Sequence, residues 1–288
     1  MSEMLQQMQE EELTEQQLIH KVNKLSRQPI KCPISNCAET IFPTSMLMHM
    51  CHKHAPYTVH AEMYDHLPLT LSFGPAEMAK DEVKCVATLL YGGIKDRAET
   101  QPGRTYMSMP NVDHFDSRDD ARLKHYLPVM LLACRTTWFA QLQDKQLEQH
   151  LNQFQENYPG IYLFWLAAPA TTRQLYYTLT VHDQLFSRSR SVVRAVRNLL
   201  QPQYPHEFMP HEDNYLHLTT GELEQLLTSS TATTKKGLQM ELVLYENPLE
   251  STMLSKQSKD CMPRIKGSVP QSIARKLSLT KRPRHNAN

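Results

Sequence analysis

Residues 32–54 read CPISNCAETIFPTSMLMHMCHKH, and four of them stand out: Cys32, Cys37, His49 and His54, in the spacing C-x4-C-x11-H-x4-H. A structural zinc ion takes four sulfur and nitrogen ligands in a tetrahedron. Two cysteines on a turn and two histidines on a helix supply that set. The helix is legible as well. Pro43 fixes the backbone at a turn, Thr44 or Ser45 offers a cap, and Met46, Leu47 and Met50 follow at helical spacing. The five-residue step from His49 to His54 requires the last turn of that helix to loosen. Cys51 reads as core, and His52 is the substitute ligand should His54 point away.

This finger is poorly equipped to read DNA. A base-reading finger presents polar and basic residues at the start of its helix. Here the corresponding surface is Thr44, Ser45, Met46 and Met48, with no Arg or Lys between Cys32 and Lys53. It is built to pack.

Outward from the finger, the flanks divide the chain into four segments. Residues 1–29 read as an N-terminal helix, with a capping-box pattern from Thr14 to Gln17 and an apolar stripe of Leu18, Val22 and Leu25. Residues 30–56 are the zinc finger. Over residues 57–247, Tyr57–Met63, Leu69–Phe73 and Leu238–Tyr245 alternate apolar and polar at period two, the mark of half-buried strands. Lys84–Tyr91, Ile161–Ala167, Leu175–Val181 and Tyr215–Leu218 are further strands, and Leu127–Phe139 is an apolar strand or strand pair. The block Ser191–Leu200 suits a strand end or a short helix. Gln141–Tyr158 reads as a helix with Leu147, Leu151 and Phe154 on one face, and Thr220 as the cap of another. Residues 94–125 read as a long loop with one short strand near Tyr106. The fold class expected is mainly β: a small zinc finger, then an antiparallel β-sandwich. Residues 248–288, rich in Lys, Arg, Ser and Pro, read as a disordered basic tail.

Composition sets limits. With 31 Lys+Arg against 30 Asp+Glu, no overall field steers the chain to nucleic acid or acidic lipid. Six cysteines without a framework suggest a reducing compartment, and the polar N-terminus carries no secretory pattern. No apolar run is long enough to span a bilayer. The expectation is an intracellular protein, cytoplasmic or nuclear, with no membrane partner.

The order of these segments resembles a known family. CPISNC…SMLMHMCHKHAPYTVHAEMYDHLPLTLSF, IYLFWLAAPATTRQLYYTLTVHD and SRSVVRAVRNLL…YLHLTTGELEQLL…LQMELVLY, within residues 30–246, are similar to the second zinc finger and TRAF-like β-sandwich of the Siah ubiquitin ligases. The chain also resembles an insect family of uncharacterised Siah-like proteins. The resemblance implies one structural Zn²⁺ and a sandwich that recognises a partner protein or extended peptide. The ligases carry a RING and a first zinc site upstream. Residues 1–31 hold no cysteine, so the expectation is the recognition half without ligase activity.

The strand Leu69, Thr70, Leu71, Ser72 and Phe73 follows the finger, where the resemblance places the start of a peptide groove. Its hydroxyl side chains would leave an edge accessible. A homodimer through the sandwich is another arrangement open to it. The alternative reading is a nuclear, nucleic-acid-associated zinc-finger protein in which the finger and the basic tail, with Lys276, Lys281, Arg282 and Arg284, contact phosphate. Enzyme readings find little support. No G-x-S-x-G, G-x-G-x-x-G or P-loop is present. His182-Asp183 and His211-Glu212-Asp213 are sequence neighbours that face opposite ways on a strand. His206 and His211 lack partner cysteines and read as a solvated loop.

Overall fold

Two strands are apolar at nearly every position, LPVMLLACRT over Leu127–Thr136 (β6) and IYLFWLAA over Ile161–Ala168 (β7). A strand with one wet face alternates; one without alternation is covered on both faces. In the computed structural model, which describes residues 15–54, 59–75, 78–112, 120–154, 159–228 and 237–246, these two strands pair at the centre of three layers. Thr14, the expected cap, and the whole of the tail from 248 lie outside the described residues.

The layers follow from residue parity. On one face of the pair, Leu127, Val129, Leu131 and Ala133 of β6 and Tyr162, Phe164, Leu166 and Ala168 of β7 point into the main core. They meet Tyr177, Leu179 and Val181 of β8 (Tyr176–His182) and Leu238, Met240, Leu242 and Leu244 of β12 (Leu238–Tyr245). On the other face, Met130, Leu132, Cys134, Ile161, Leu163 and Trp165 form a second core with Ile30, Ile41, Met46 and Met50 of the finger. Phe208, Met209 and Tyr215 complete that second cluster.

The larger sheet runs β10–β7–β6–β5–β3, where β3 is Val59–Met63, β5 is Val83–Tyr91 and β10 is Arg197–Asn198. The strand β11 (Leu216–Thr219) shares the outer edge of β7 with β10. The smaller sheet is β4–β12–β8–β9, with β4 at Leu69–Phe73 and β9 at Ser189–Ala195. β10 and β11 diverge opposite the middle of β7, and the buried Tyr177 hydroxyl fills the gap. It takes a backbone hydrogen bond at Leu166 and donates to the Asn214 carbonyl at 3.1 Å.

Several expectations need correction. The sheets are not wholly antiparallel: β3 runs parallel to β5, and β10 parallel to β7. Each pair is separated by an excursion into the other sheet, through β4 in one case and through the β8–β9 hairpin in the other, so the chain returns in its original direction. No strand forms near Tyr106; that residue turns with φ 56°, outside the ladder region, and exposes its ring. Over Ser191–Leu200 the chain is strand in β9 and β10 and turns at Leu199 and Leu200, with no helix. Leu127–Phe139 is one strand ending at Thr136, followed by a short 3₁₀ turn over Trp138–Gln141.

The helices also differ in detail. The first, α1, spans Glu15–Ser26 and buries Val22, with Leu18 and Leu25 half-buried beside it. The helix Lys145–Phe154 (α3, after the finger's α2, Met46–His49) does not bury the expected stripe. Leu147 and Phe154 are exposed, 44% and 74%, and Glu148 is the residue turned inward. Polar groups dock it: Asn152 Oδ1 accepts from Thr137 and Lys80, each at 3.0 Å. After α4 (Pro205–Phe208), α5 covers Thr220–Thr228. Its cap is Thr219, not Thr220. Thr219 Oγ1 accepts from the Glu222 amide at 3.2 Å, and Glu222 Oε2 reaches back to the Thr219 amide at 2.8 Å, closing a capping box.

Candidate metal centre

The cysteine turn is anchored at both ends. β1 (Ile30–Lys31) pairs with β2 (Thr40–Ile41), and the Cys32 amide donates to the Glu39 carbonyl at 3.0 Å. Asn36 takes a left-handed conformation, φ 68°, which its short polar side chain tolerates and the turn between the cysteines requires. Ser35 exchanges bonds with Val83 of β5: its amide donates to the Val83 carbonyl at 3.0 Å, and its hydroxyl accepts from the Val83 amide at 2.8 Å. The turn is thereby tied to the larger sheet.

The histidine arm begins at Pro43 with a 3₁₀ turn, continues as α2, and ends in a π-helical turn over Met50–His54. That last turn explains the five-residue spacing. In a regular α-helix, residues five apart point about 140° away from each other. The wider π turn, with its i→i+5 bonds, brings them back onto one face. His49 and His54 consequently turn the same nitrogen to the same point, their Nε2 atoms 3.2 Å apart.

The four expected ligands converge. Cys32 Sγ lies 3.6 Å from His54 Nε2, Cys37 Sγ 3.6 Å from His49 Nε2, and all four donor atoms fall within 4.8 Å of one another. Zinc bonded to sulfur at about 2.3 Å and to nitrogen at about 2.0–2.1 Å sets tetrahedral S···N and N···N edges of roughly 3.6 and 3.3 Å. The observed separations match those edges. Burial keeps both imidazoles below the usual histidine range, in the neutral form that ligates. The same burial pushes the Cys32 thiol up to about 12, opposed by a backbone hydrogen bond from Ile34. A coordinating cation removes such a thiol proton outright. His52 is exposed and stands outside the cluster, and Cys51 is half-buried against Leu47, Leu90 and Tyr126.

One participant had no signature in the sequence. Glu39, two residues past Cys37, sets Oε2 3.1 Å from His49 Nδ1 and Oε1 2.8 Å from Lys53 Nζ. The Lys53 ammonium holds its carboxyl below the usual range.

The remaining candidates lie elsewhere. β4 pairs with β12 alone among the described residues. Leu71 is buried, Leu69 and Phe73 pack against the core, and Thr70 and Ser72 are exposed. This strand is at the edge of the smaller sheet, whereas the finger covers the larger one. Asp183 is buried within the β8–β9 turn, where it accepts from the Ser187 amide at 2.7 Å and from the Ser187 hydroxyl, while His182 packs on Phe186. Glu212 and Asp213 pair with Arg197 at 2.8 Å and Arg194 at 3.3 Å, and His206 and His211 are exposed. A polar cleft of about 230 Å³ beside β10 has Arg197 in its wall, bonded to Glu212 and the Pro202 carbonyl and stacked on Phe208. No helix of the described residues is long and apolar enough to cross a membrane.

No curated protein matches the chain. A family model described as a domain of unknown function (DUF4729) matches residues 31–230, a span that opens beside Cys32 and takes in the finger together with all but the last strand. The match covers well over half of the 288 residues, and the chain belongs to that family.

Proposed function

We propose that this protein is a protein-interaction adaptor, in which a zinc finger braces a TRAF-like sandwich whose exposed edge accepts an extended peptide. The observation that carries the reading is β4. Its outer side has no strand partner among the described residues, and its two outward side chains are small hydroxyls. An edge of this kind offers main-chain hydrogen bonds for affinity and pockets at alternate residues for choice. Neither Lys nor Pro, the usual guards of an edge, falls within Leu69–Phe73. The face-to-face sheets and the finger immediately before them follow the segment order of the Siah-like resemblance, which supports the same reading.

The nucleic-acid alternative draws no support from the finger. Met46, Leu47 and Met50, on the helix that would enter a groove, are fully buried against the sheet.

The experiment is a selection of displayed random peptides on the full zinc-loaded chain, followed by amide exchange. A selected peptide should slow exchange at Leu69–Phe73, and Thr70→Lys combined with Ser72→Lys should abolish binding while leaving zinc content and melting unchanged. Peptides that protect only other segments would overturn the proposal.

A further inference from the structure

We infer that Glu39 is the positioning residue of the metal centre and that Lys53 anchors it. The inference rests on the zinc reading of Cys32, Cys37, His49 and His54.

A histidine that ligates through Nε2 must carry its proton on Nδ1, and the group accepting that proton sets both tautomer and ring orientation. Here the acceptor is Glu39 Oε2, 3.1 Å from His49 Nδ1. The carboxylate has little freedom to leave. Its own backbone carbonyl is held by the Cys32 amide at 3.0 Å, and its second oxygen is held by Lys53 Nζ at 2.8 Å. Lys53 in turn sits in the π turn, one residue before His54. The chain Lys53–Glu39–His49 therefore closes a loop between the cysteine arm and the histidine arm.

Stability of the exposed ion pair is a weak reason for this arrangement. Glu39 and Lys53 side chains are 46% and 58% exposed, and pairs so open to water contribute little to folding. The contact to a buried imidazole is different in kind, because it acts where the metal binds. Carboxylates that orient metal-bound histidines typically change metal affinity about 10–100-fold when removed.

The test measures zinc affinity of the full chain by competition with a chromophoric chelator, with cobalt(II) substitution as a second readout. Glu39→Ala should weaken zinc toward the hundredfold end and Glu39→Gln, which keeps an acceptor oxygen but no charge, toward tenfold. The cobalt d–d bands should shift in both, since they report ligand geometry. Lys53→Met should weaken zinc by a few fold, and that effect should vanish when Glu39 is already alanine, as expected if Lys53 acts only through it. Wild-type protein that takes up no zinc would sink the metal reading itself. Wild-type protein that binds zinc while Glu39→Ala keeps its affinity and cobalt spectrum would sink this inference alone, as would a Lys53→Met loss undiminished in the Glu39→Ala background.

Discussion

At the scale of single residues, the zinc ligands carry the sharpest expectation. The wild-type chain should hold one zinc per molecule, and Cys37→Ser should reduce that to near zero by metal analysis, because three ligands seldom retain a structural ion that four were arranged to hold. Trp165 makes a second case. It is fully buried, packs on Phe208, and donates from its indole nitrogen to Gln203 Oε1 at 3.0 Å. Trp165→Ala empties a large volume in the second core and strands the Gln203 oxygen, so a loss of about 3–5 kcal/mol is expected from denaturant titration. The ligand quartet was legible in the sequence since each member is a rare residue type at a telling interval. Glu39 was not. Its role depends on a contact across the finger, and an isolated acid two residues past a cysteine has nothing to distinguish it from a solvated one.

At the scale of elements, the α5 cap shows how a boundary slips by one residue. Both Thr219 and Thr220 have the chemistry to cap, and only the reciprocal bonds of Glu222 decide between them. Thr219→Ala should cost about 1 kcal/mol, whereas the Thr220 hydroxyl donates to the Gly160 carbonyl and ties the helix to the start of β7. The backbone amide of Thr219 holds the Glu222 carboxyl below its ordinary value of 4.5. A depressed carboxyl stabilises the fold at neutral pH and ceases to do so as pH falls through its folded value. Glu222→Gln should therefore lower the melting temperature at pH 7, and the gap from wild type should close as the pH drops below about 4.5. A gap that stayed constant across that range would contradict the capping box. The strands Leu69–Phe73 and Leu238–Tyr245 were readable to the residue, because one wet face imposes strict alternation. The α3 stripe misled for the opposite reason. Its apolar spacing is genuine, but docking through Asn152 to Thr137 and Lys80 outweighs it, and no periodicity in one helix reveals which neighbour it will meet.

At the scale of the whole molecule, the finger is a wall of the larger sheet's second core. Ile30, Ile41, Met46 and Met50 share one buried cluster with Leu132, Leu163 and Trp165. Removing zinc should therefore reach far beyond residues 32–54. Chelation is expected to lower the melting temperature of the sandwich in the same transition that releases the finger, with the Trp emission moving to the red. An unchanged sandwich transition after complete zinc removal would show the finger to be separable. That β6 and β7 lie under two layers could be sensed from their unbroken apolar runs. The parallel pairings of β3 with β5 and of β10 with β7 could not, since strand direction depends on which sheet the intervening chain visits.

The placement of that wall has a consequence for synthesis. His54 leaves the ribosome more than a hundred residues before β7 begins at Ile161. At roughly 5–20 residues per second, the finger waits several seconds for the surface it will cover. During that interval Met46 and Met50 lack Leu163 and Trp165 of the cluster they join, and a bound zinc ion would be what gives the segment a shape of its own. On the zinc reading, scarcity of the metal at that moment would act on the nascent chain, leaving a greasy helix unclaimed while the rest of the domain is still being made.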